Sequence, residues 1–218
     1  PLDNWNVSKV ILMGRMFSGT PFNQPLKSWN ISNATNMSGM FNDAIFFNQP
    51  LDNWNVSKVI LMDQMFYETP FNQDLSNWNV SKVTNMDKMF DIATNFNQRL
   101  NNWNVSKATT MKQMFYWATS FNQPLDNWNV SKVTNMDQMF YFATPFNQPL
   151  NSWNVLNVIS MSEMFYYVTS FNQDLSNWTI NSNANISSFA CNAPIINHKA
   201  YYPTKSGGSK FTKTELNC

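Results

Sequence analysis

The chain has 218 residues, a net charge of +1 and 12% charged residues, so it offers no basic field to hold a nucleic-acid backbone and no acidic tail. No apolar run is long enough to cross a bilayer, because Asn, Ser, Gln or Lys interrupts every few positions. These features exclude a nucleic-acid partner and membrane insertion of this segment as expectations, and the excess of Asn, Phe, Met and Trp points instead to internal repetition.

Trp5, Trp29, Trp54, Trp78, Trp103, Trp128, Trp153 and Trp178 recur at steps of 24 or 25 within nearly identical surroundings. One copy, WNVSKVTNMDQMFYFATPFNQPLDN, starts at Trp128, and Trp153 begins the next. The copies from Trp5 and Trp54 lack one residue between Phe17 or Phe66 and Phe22 or Phe71, where SGTP and YETP replace YFATP. A segment that absorbs a deletion lies outside the main ladder.

Within a copy, Leu125, Trp128, Val130 and Val133 follow L-x-x-W-x-V-x-x-V, and Trp128 and Val130 flank Asn129 as in a short strand. Val133, Met136, Met139, Phe140 and Ala143 then fall at steps of three and four, which predicts one face of a short helix. Thr134 with Asp137 resembles a capping box at its start. Phe146 and Asn147-Gln148-Pro149 return the chain to Leu150, Pro149 suiting a turn outside a hydrogen-bonded ladder. One such unit cannot bury its own aromatics, whereas stacked units give each residue type a column of its kind. The predicted fold class is an α/β repeat solenoid, leucine-rich-repeat-like, with one short parallel strand and one short helix per turn of roughly 25 residues. It spans 1–197 as about eight turns, the last degenerate, followed by an irregular C-terminal cap over 198–218.

After Trp178 the pattern wears down, with Ile180, Ile186, Phe189 and Ile196 keeping the places of Val, Met, Met and Phe. Tyr202-Pro203, Lys205 and Gly207-Gly208 then show no periodicity, as suits a cap over the last rung. Cys191 and Cys218 are the only cysteines, and a disulfide between them is expected in an oxidising compartment. At the other end, Leu2 and Trp5 already hold the places of Leu125 and Trp128. The array thus opens in mid-repeat, and the expectation is that further turns or a cap precede Pro1, in preference to coverage by another copy.

L-x-x-W-x-V-x-x-V is close to the leucine-rich-repeat signature, and the fuller W-N-V-S-K-V-T-N-M-x-x-M-F…F-N-Q-P-L, from about Pro1 to Asn197, is more specific. It resembles the BspA-like surface proteins, also described as the Mycoplasma lipoprotein repeat family of unknown function. The resemblance implies a leucine-rich-repeat-like solenoid on a secreted or cell-surface protein, loosely linked to adhesion. A virion surface also fits, since relatives occur in large DNA viruses. The family brings no catalytic motif.

Alternation places a polar column opposite Trp and Val: Asn6, Asn30, Asn55, Asn79, Asn104, Asn129 and Asn154, ending at Thr179. Ser57, Ser81, Ser106 and Ser131 flank it, and Lys58, Lys82, Lys107 and Lys132 run alongside. This face reads either as Asn amides hydrogen-bonded between turns, a structural ladder, or as a flat surface for a protein or glycan. Its N-x-[ST] matches follow from the repeat, and sugars on adjacent rungs about 4.8 Å apart would collide. The aromatics after the Met-Phe pair, Tyr116, Trp117, Tyr141, Phe142, Tyr166 and Tyr167, form a second candidate edge, either core filling or a partner site. Asp63, Asp87, Asp137 and Glu163 read as caps at the helix start. The single histidine, His198, has no nucleophile or carboxylate arranged around it, and no clustered acidic loop suits calcium. Neither an enzyme nor a metal or other cofactor is expected. The sequence therefore predicts a non-catalytic recognition or adhesion scaffold, secreted or at the cell surface, whose partner is a protein or a glycan. The alternative is a structural element of a stalk, filament or virion surface in which copies meet one another.

Overall fold

The computed structural model describes Leu2 and residues 4–216. Its backbone hydrogen bonds run largely from one copy to the next. The N–H of Met136 donates to Ser160 O at 2.8 Å, that of Gln138 to Ser162 O at 2.8 Å, that of Phe140 to Met164 O at 3.0 Å and that of Phe142 to Tyr166 O at 2.9 Å. Parallel bridges one residue wide connect Leu12, Asn36, Leu61, Asn85, Thr110, Asn135, Ser160 and Asn185 in series. Successive copies therefore lie one upon the next in parallel register.

The amides between these donors close turns. Met139 N–H reaches Met136 O at 3.2 Å, Tyr141 reaches Gln138 O at 3.1 Å and Ala143 reaches Phe140 O at 2.9 Å, while Asp137 N–H donates to Asn135 Oδ1 at 2.8 Å. Every N–H from Met136 to Ala143 thus has an acceptor, as buried backbone requires. The arrangement depends on two left-handed residues per copy, Gln138 at φ 56° and Phe142 at φ 55°. Each is the third residue of a turn closed by an N–H to a carbonyl three residues back, the place where a type II turn needs positive φ. The pair recurs as Gln113 and Trp117, Lys88 and Ile92, and Glu163 and Tyr167; glycine fills one place of the pair at Gly19 and at Gly39.

The expected helix over 134–143 is replaced by this double turn. Two consecutive turns send Met136, Met139, Phe140 and Ala143 inward at the same steps of three and one that a helical face would show, so periodicity alone could not separate them. The expected strand is also displaced: the bridges recur at Asn135 and its equivalents rather than at Trp128–Val130. Among the described residues the named elements are confined to the C-terminal part. They are β1 (Thr179–Ile180), 3-10 turns at Pro194–Asn197 and Lys199–Tyr201, β2 (Thr204–Lys205) and α1 (Lys213–Leu216). β1 and β2 pair in parallel.

The interior is built from files of like residues. Trp103, Trp128 and Trp153 are buried, and each indole Nε1–H donates to the carbonyl of the leucine in the copy before, Leu75 at 3.0 Å, Leu100 at 2.9 Å and Leu125 at 3.0 Å. Burying a Trp is tolerable only if its N–H finds such a partner. Phe115, Phe140 and Phe165 stack between copies at 5.6 Å, and each also stacks within its own copy on Phe121, Phe146 or Phe171 at 4.0–4.1 Å. At the C-terminal side Trp178 is covered completely, and Ile195, Tyr202, Phe211 and Leu216 join the core. At the N-terminal side Trp5 stacks on Trp29 at 6.4 Å and stays exposed.

Candidate functional site

The Asn face lies outward as expected. Asn6, Asn30, Asn55, Asn79, Asn104, Asn129 and Asn154 are exposed, Ser57, Ser81, Ser106 and Ser131 half-buried, and Lys58, Lys82, Lys107 and Lys132 exposed. The amides do not form the expected ladder between turns. Asn129 Oδ1 instead accepts the N–H of Ser131 at 3.1 Å in its own copy, and Asn55, Asn79 and Asn104 do the same. This is the local side-chain turn that Asn favours, and it fixes the bend after each Trp. The inter-turn asparagine ladder lies elsewhere, in the F-N-Q corner. Asn122 N–H donates to Asn97 Oδ1, Asn147 N–H to Asn122 Oδ1 and Asn172 N–H to Asn147 Oδ1, all at 3.0 Å. Gln148 and Gln173 donate to the same oxygens at 2.9 Å. The near-constant Asn after each corner Phe is the sequence signal of this ladder.

The carboxylates expected as helix caps also bond across copies. Asp137 accepts the hydroxyl of Ser160 and, at 2.9 Å, the N–H of Ser162. Asp87 accepts the N–H of Lys112 at 2.7 Å and the hydroxyl of Thr110, while Asp63 accepts the hydroxyl of Ser38 at 2.6 Å. Burial raises the Asp87 carboxyl above its ordinary range despite these donors. Glu163 stands one place later, on a left-handed residue, and accepts the amide of Gln138 at 2.6 Å.

The aromatic edge is where copies differ. Tyr116, Tyr141 and Tyr166 form one file, with centroids 4.7 and 4.8 Å apart and planes within 7°. Trp117, Phe142 and Tyr167 form a parallel file at 4.9 and 4.7 Å. The second file sits on the left-handed residues, which direct it away from the core. Trp117 is 41% exposed and Tyr167 38%, so core filling does not describe this file; Phe142 and the tyrosines beside it are half-buried. Because each ring stacks on its neighbours along the file, the middle rings present rims rather than faces to the outside. In the earlier copies the same two places hold Ser18 and Gly19, Asn42 and Asp43, Tyr67 and Glu68, and Asp91 and Ile92.

Asp91 interrupts the tyrosine file. It is 2% exposed, its Oδ2 lies 3.7 Å from Lys88 Nζ, and its Oδ1 has no hydrogen-bond partner. Burial pushes its carboxyl up to about 7, only partly offset by the Lys88 ammonium. The neighbouring Tyr67 is raised to about 12, first by its hydrogen bond with Glu68 and then by burial.

Cys191 is buried and disulfide-bonded, while Cys218 lies outside the described residues. His198 stacks on Tyr201 at 5.2 Å. Among the described residues no three His, Cys, Asp or Glu side chains are placed to hold a metal ion, and no helix is long and apolar enough to cross a membrane.

The model of one protein family, described as Mycoplasma protein of unknown function, DUF285, matches three overlapping stretches, residues 1–103, 51–147 and 93–202. The chain belongs to this family. The overlapping matches fit the tandem repetition seen in the Trp positions and in the stacked copies. No curated protein and no solved structure matches the chain.

Proposed function

We propose that the protein is a non-catalytic recognition scaffold, a solenoid related to the BspA-like surface repeats, working at a cell surface or in the extracellular space. Its partner is a protein, bound on the aromatic edge of Tyr116, Trp117, Tyr141, Phe142, Tyr166 and Tyr167. The observation that carries this reading is the confinement of two ring files, one half-buried and the other ending in the exposed Trp117 and Tyr167, to three successive copies, beside polar residues at the same places in the earlier copies Ser18–Gly19 and Asn42–Asp43. Stacking does not demand aromatics there, since the earlier copies stack without them, and exposed aromatic patches characterise partner sites. A protein suits the edge better than a glycan, because sugars pack on ring faces and the faces within each file are taken up by neighbouring rings.

The alternative, a structural element built from copies of the chain, draws on the uniformity of the Asn face. One comparison separates the two readings. The protein, a variant carrying Trp117→Ser, Phe142→Ser and Tyr167→Ser, and a variant carrying Asn104→Ala, Asn129→Ala, Lys107→Ala and Lys132→Ala are immobilised, and bound surface proteins are identified by mass spectrometry. Their particle sizes are measured by light scattering. Recognition through the edge predicts one partner retained by the parent and the face variant and lost by the edge variant, with all three monodisperse. Loss confined to the face variant contradicts the edge assignment, and large particles that the face variant disperses favour the structural alternative.

A further inference from the structure

The charge of the chain is unevenly placed. Four lysines against one glutamate give residues 198–218 a net charge of +3, whereas ten Lys and Arg against twelve Asp and Glu leave residues 1–197 at −2. In the fold three of these lysines line a hollow of about 550 Å3 between the 3-10 turns and α1. Its apolar side is formed by Ile196, Tyr202 and Phe211, and Lys199, Lys210 and Lys213 also line it. The Tyr202 hydroxyl donates to Ile196 O at 2.5 Å, so that polar tip is already satisfied and the ring is left as apolar wall.

The lysines here are unequally compensated. Lys205, which lies over the Phe211 ring at 5.1 Å, is paired with Glu215, and this hydrogen bond, first among its causes, holds the Glu215 carboxyl down at about 2. Lys210 donates to Ala200 O at 2.8 Å and Lys213 to Asn197 Oδ1 at 3.3 Å, both neutral acceptors. Among the described residues no carboxylate lies within ion-pair distance of Lys199, Lys210 or Lys213, and the Asp174 carboxylate feels Lys210 only as a minor influence behind its hydrogen bonds with Ser176. Three lysines thus line one apolar hollow without an ion-paired carboxylate, an arrangement that an anion among them would complement. A concave, mainly apolar site with a few convergent charges is the usual form of a small-molecule site, and this volume falls in the ordinary range of about 300–1,000 Å3.

We propose that this hollow binds a single amphiphilic anion, its apolar body against Ile196, Tyr202 and Phe211 and its anionic head among Lys199, Lys210 and Lys213. Lysine acts as a point charge without the planar fork of arginine, which suits a phosphate or carboxylate head approached from several directions. The site is independent of the aromatic edge, and neither stands or falls with the other.

The test is isothermal titration of the full chain with decyl phosphate below its micelle-forming concentration, alongside decanol and inorganic phosphate as separate probes of tail and head. Expected is one-site binding of decyl phosphate, with decanol and inorganic phosphate each at least about tenfold weaker. Lys199→Gln and Lys213→Gln should each weaken decyl phosphate about tenfold, the loss of one charge-assisted contact, without moving the thermal midpoint. Vesicles of phosphatidylcholine with phosphatidylglycerol form a further arm, separating a free amphiphile from a lipid headgroup in a bilayer. The proposal is overturned if decyl phosphate shows no one-site binding, if decanol binds as tightly, if both lysine variants bind like the parent, or if only the vesicles bind.

Discussion

The Asn face and the aromatic edge run along the same stack, yet they carry very different sequence freedom. On the face, Asn55, Asn79, Asn104 and Asn129 each hold the N–H two residues on, so the repeat is constrained by the turn it closes. On the edge, the backbone amides of Trp117 and Phe142 carry the bonds to the next copy, and the side chains bond at most to the ring beside them, as Glu68 does to Tyr67 and Trp117 to Tyr116. Glycine, Asp, Glu, Ile, Trp, Phe and Tyr all occupy that place in successive copies. Uniformity on the outside of this molecule therefore reports local turn chemistry, and variation reports where a partner could act without disturbing the stack.

The largest effect should separate the core files from the face. Trp103→Ala removes a buried indole and one of the two N–H groups that the Leu75 carbonyl accepts, that of Trp78 remaining, and should cost about 3–5 kcal/mol. Asn104→Ala, losing one exposed local bond, should cost about 1 kcal/mol or less. Urea melts of both variants check this, and a larger loss at Asn104 would reverse the assignment of the two sides.

An intermediate effect should come from the point where the edge fails to be indifferent. Asp91 is buried with one oxygen unpaired, and its folded-state value of about 7 stands above the value of about 3.9 expected for an unfolded chain. Between those values the folded chain holds a proton that the unfolded chain has released, so stability falls as pH rises from about 4 to about 7 and stays reduced above. Asp91→Asn should raise stability by roughly 1–3 kcal/mol at pH 8 and much less at pH 4. Melts at the two pH values measure the difference, and an equal effect at both would remove the titration from the explanation. Asp91→Tyr, which would join Tyr67 to Tyr116 in one file, should also stabilise the chain at pH 8.

Much of this organisation was legible in the sequence. The Trp spacing gave the copies, and Trp128, Val130, Met136, Met139, Phe140 and Phe146 were assigned to the interior where the structure buries them. The helix was not legible as false. A step of three and one is shared by a helical face and by two consecutive turns, and Gln, Lys, Phe and Tyr at left-handed positions conceal the glycine signal that would have betrayed the turns. The aromatic edge was visible as residues, but its two files became a site only once the rings of consecutive copies were seen 4.7–4.9 Å apart. The cap hollow was not legible, because its lysines are scattered between residues 199 and 213 and meet only through the 3-10 turns, β2 and α1.

The smallest effect is also the most direct test, since the edge points outward only because two residues in each copy are left-handed. Gln113, at φ 57°, can be replaced by Gly and, separately, by Ala. Both replacements remove the same side-chain bond to Gln138, so the difference between them isolates the backbone. A left-handed position predicts that Gln113→Gly is more stable than Gln113→Ala by about 1 kcal/mol, because only the alanine meets the Cβ clash. If Gln113→Ala proved the more stable by about 1 kcal/mol, as in a helix interior, the turn-built ladder would be wrong, and the edge with it.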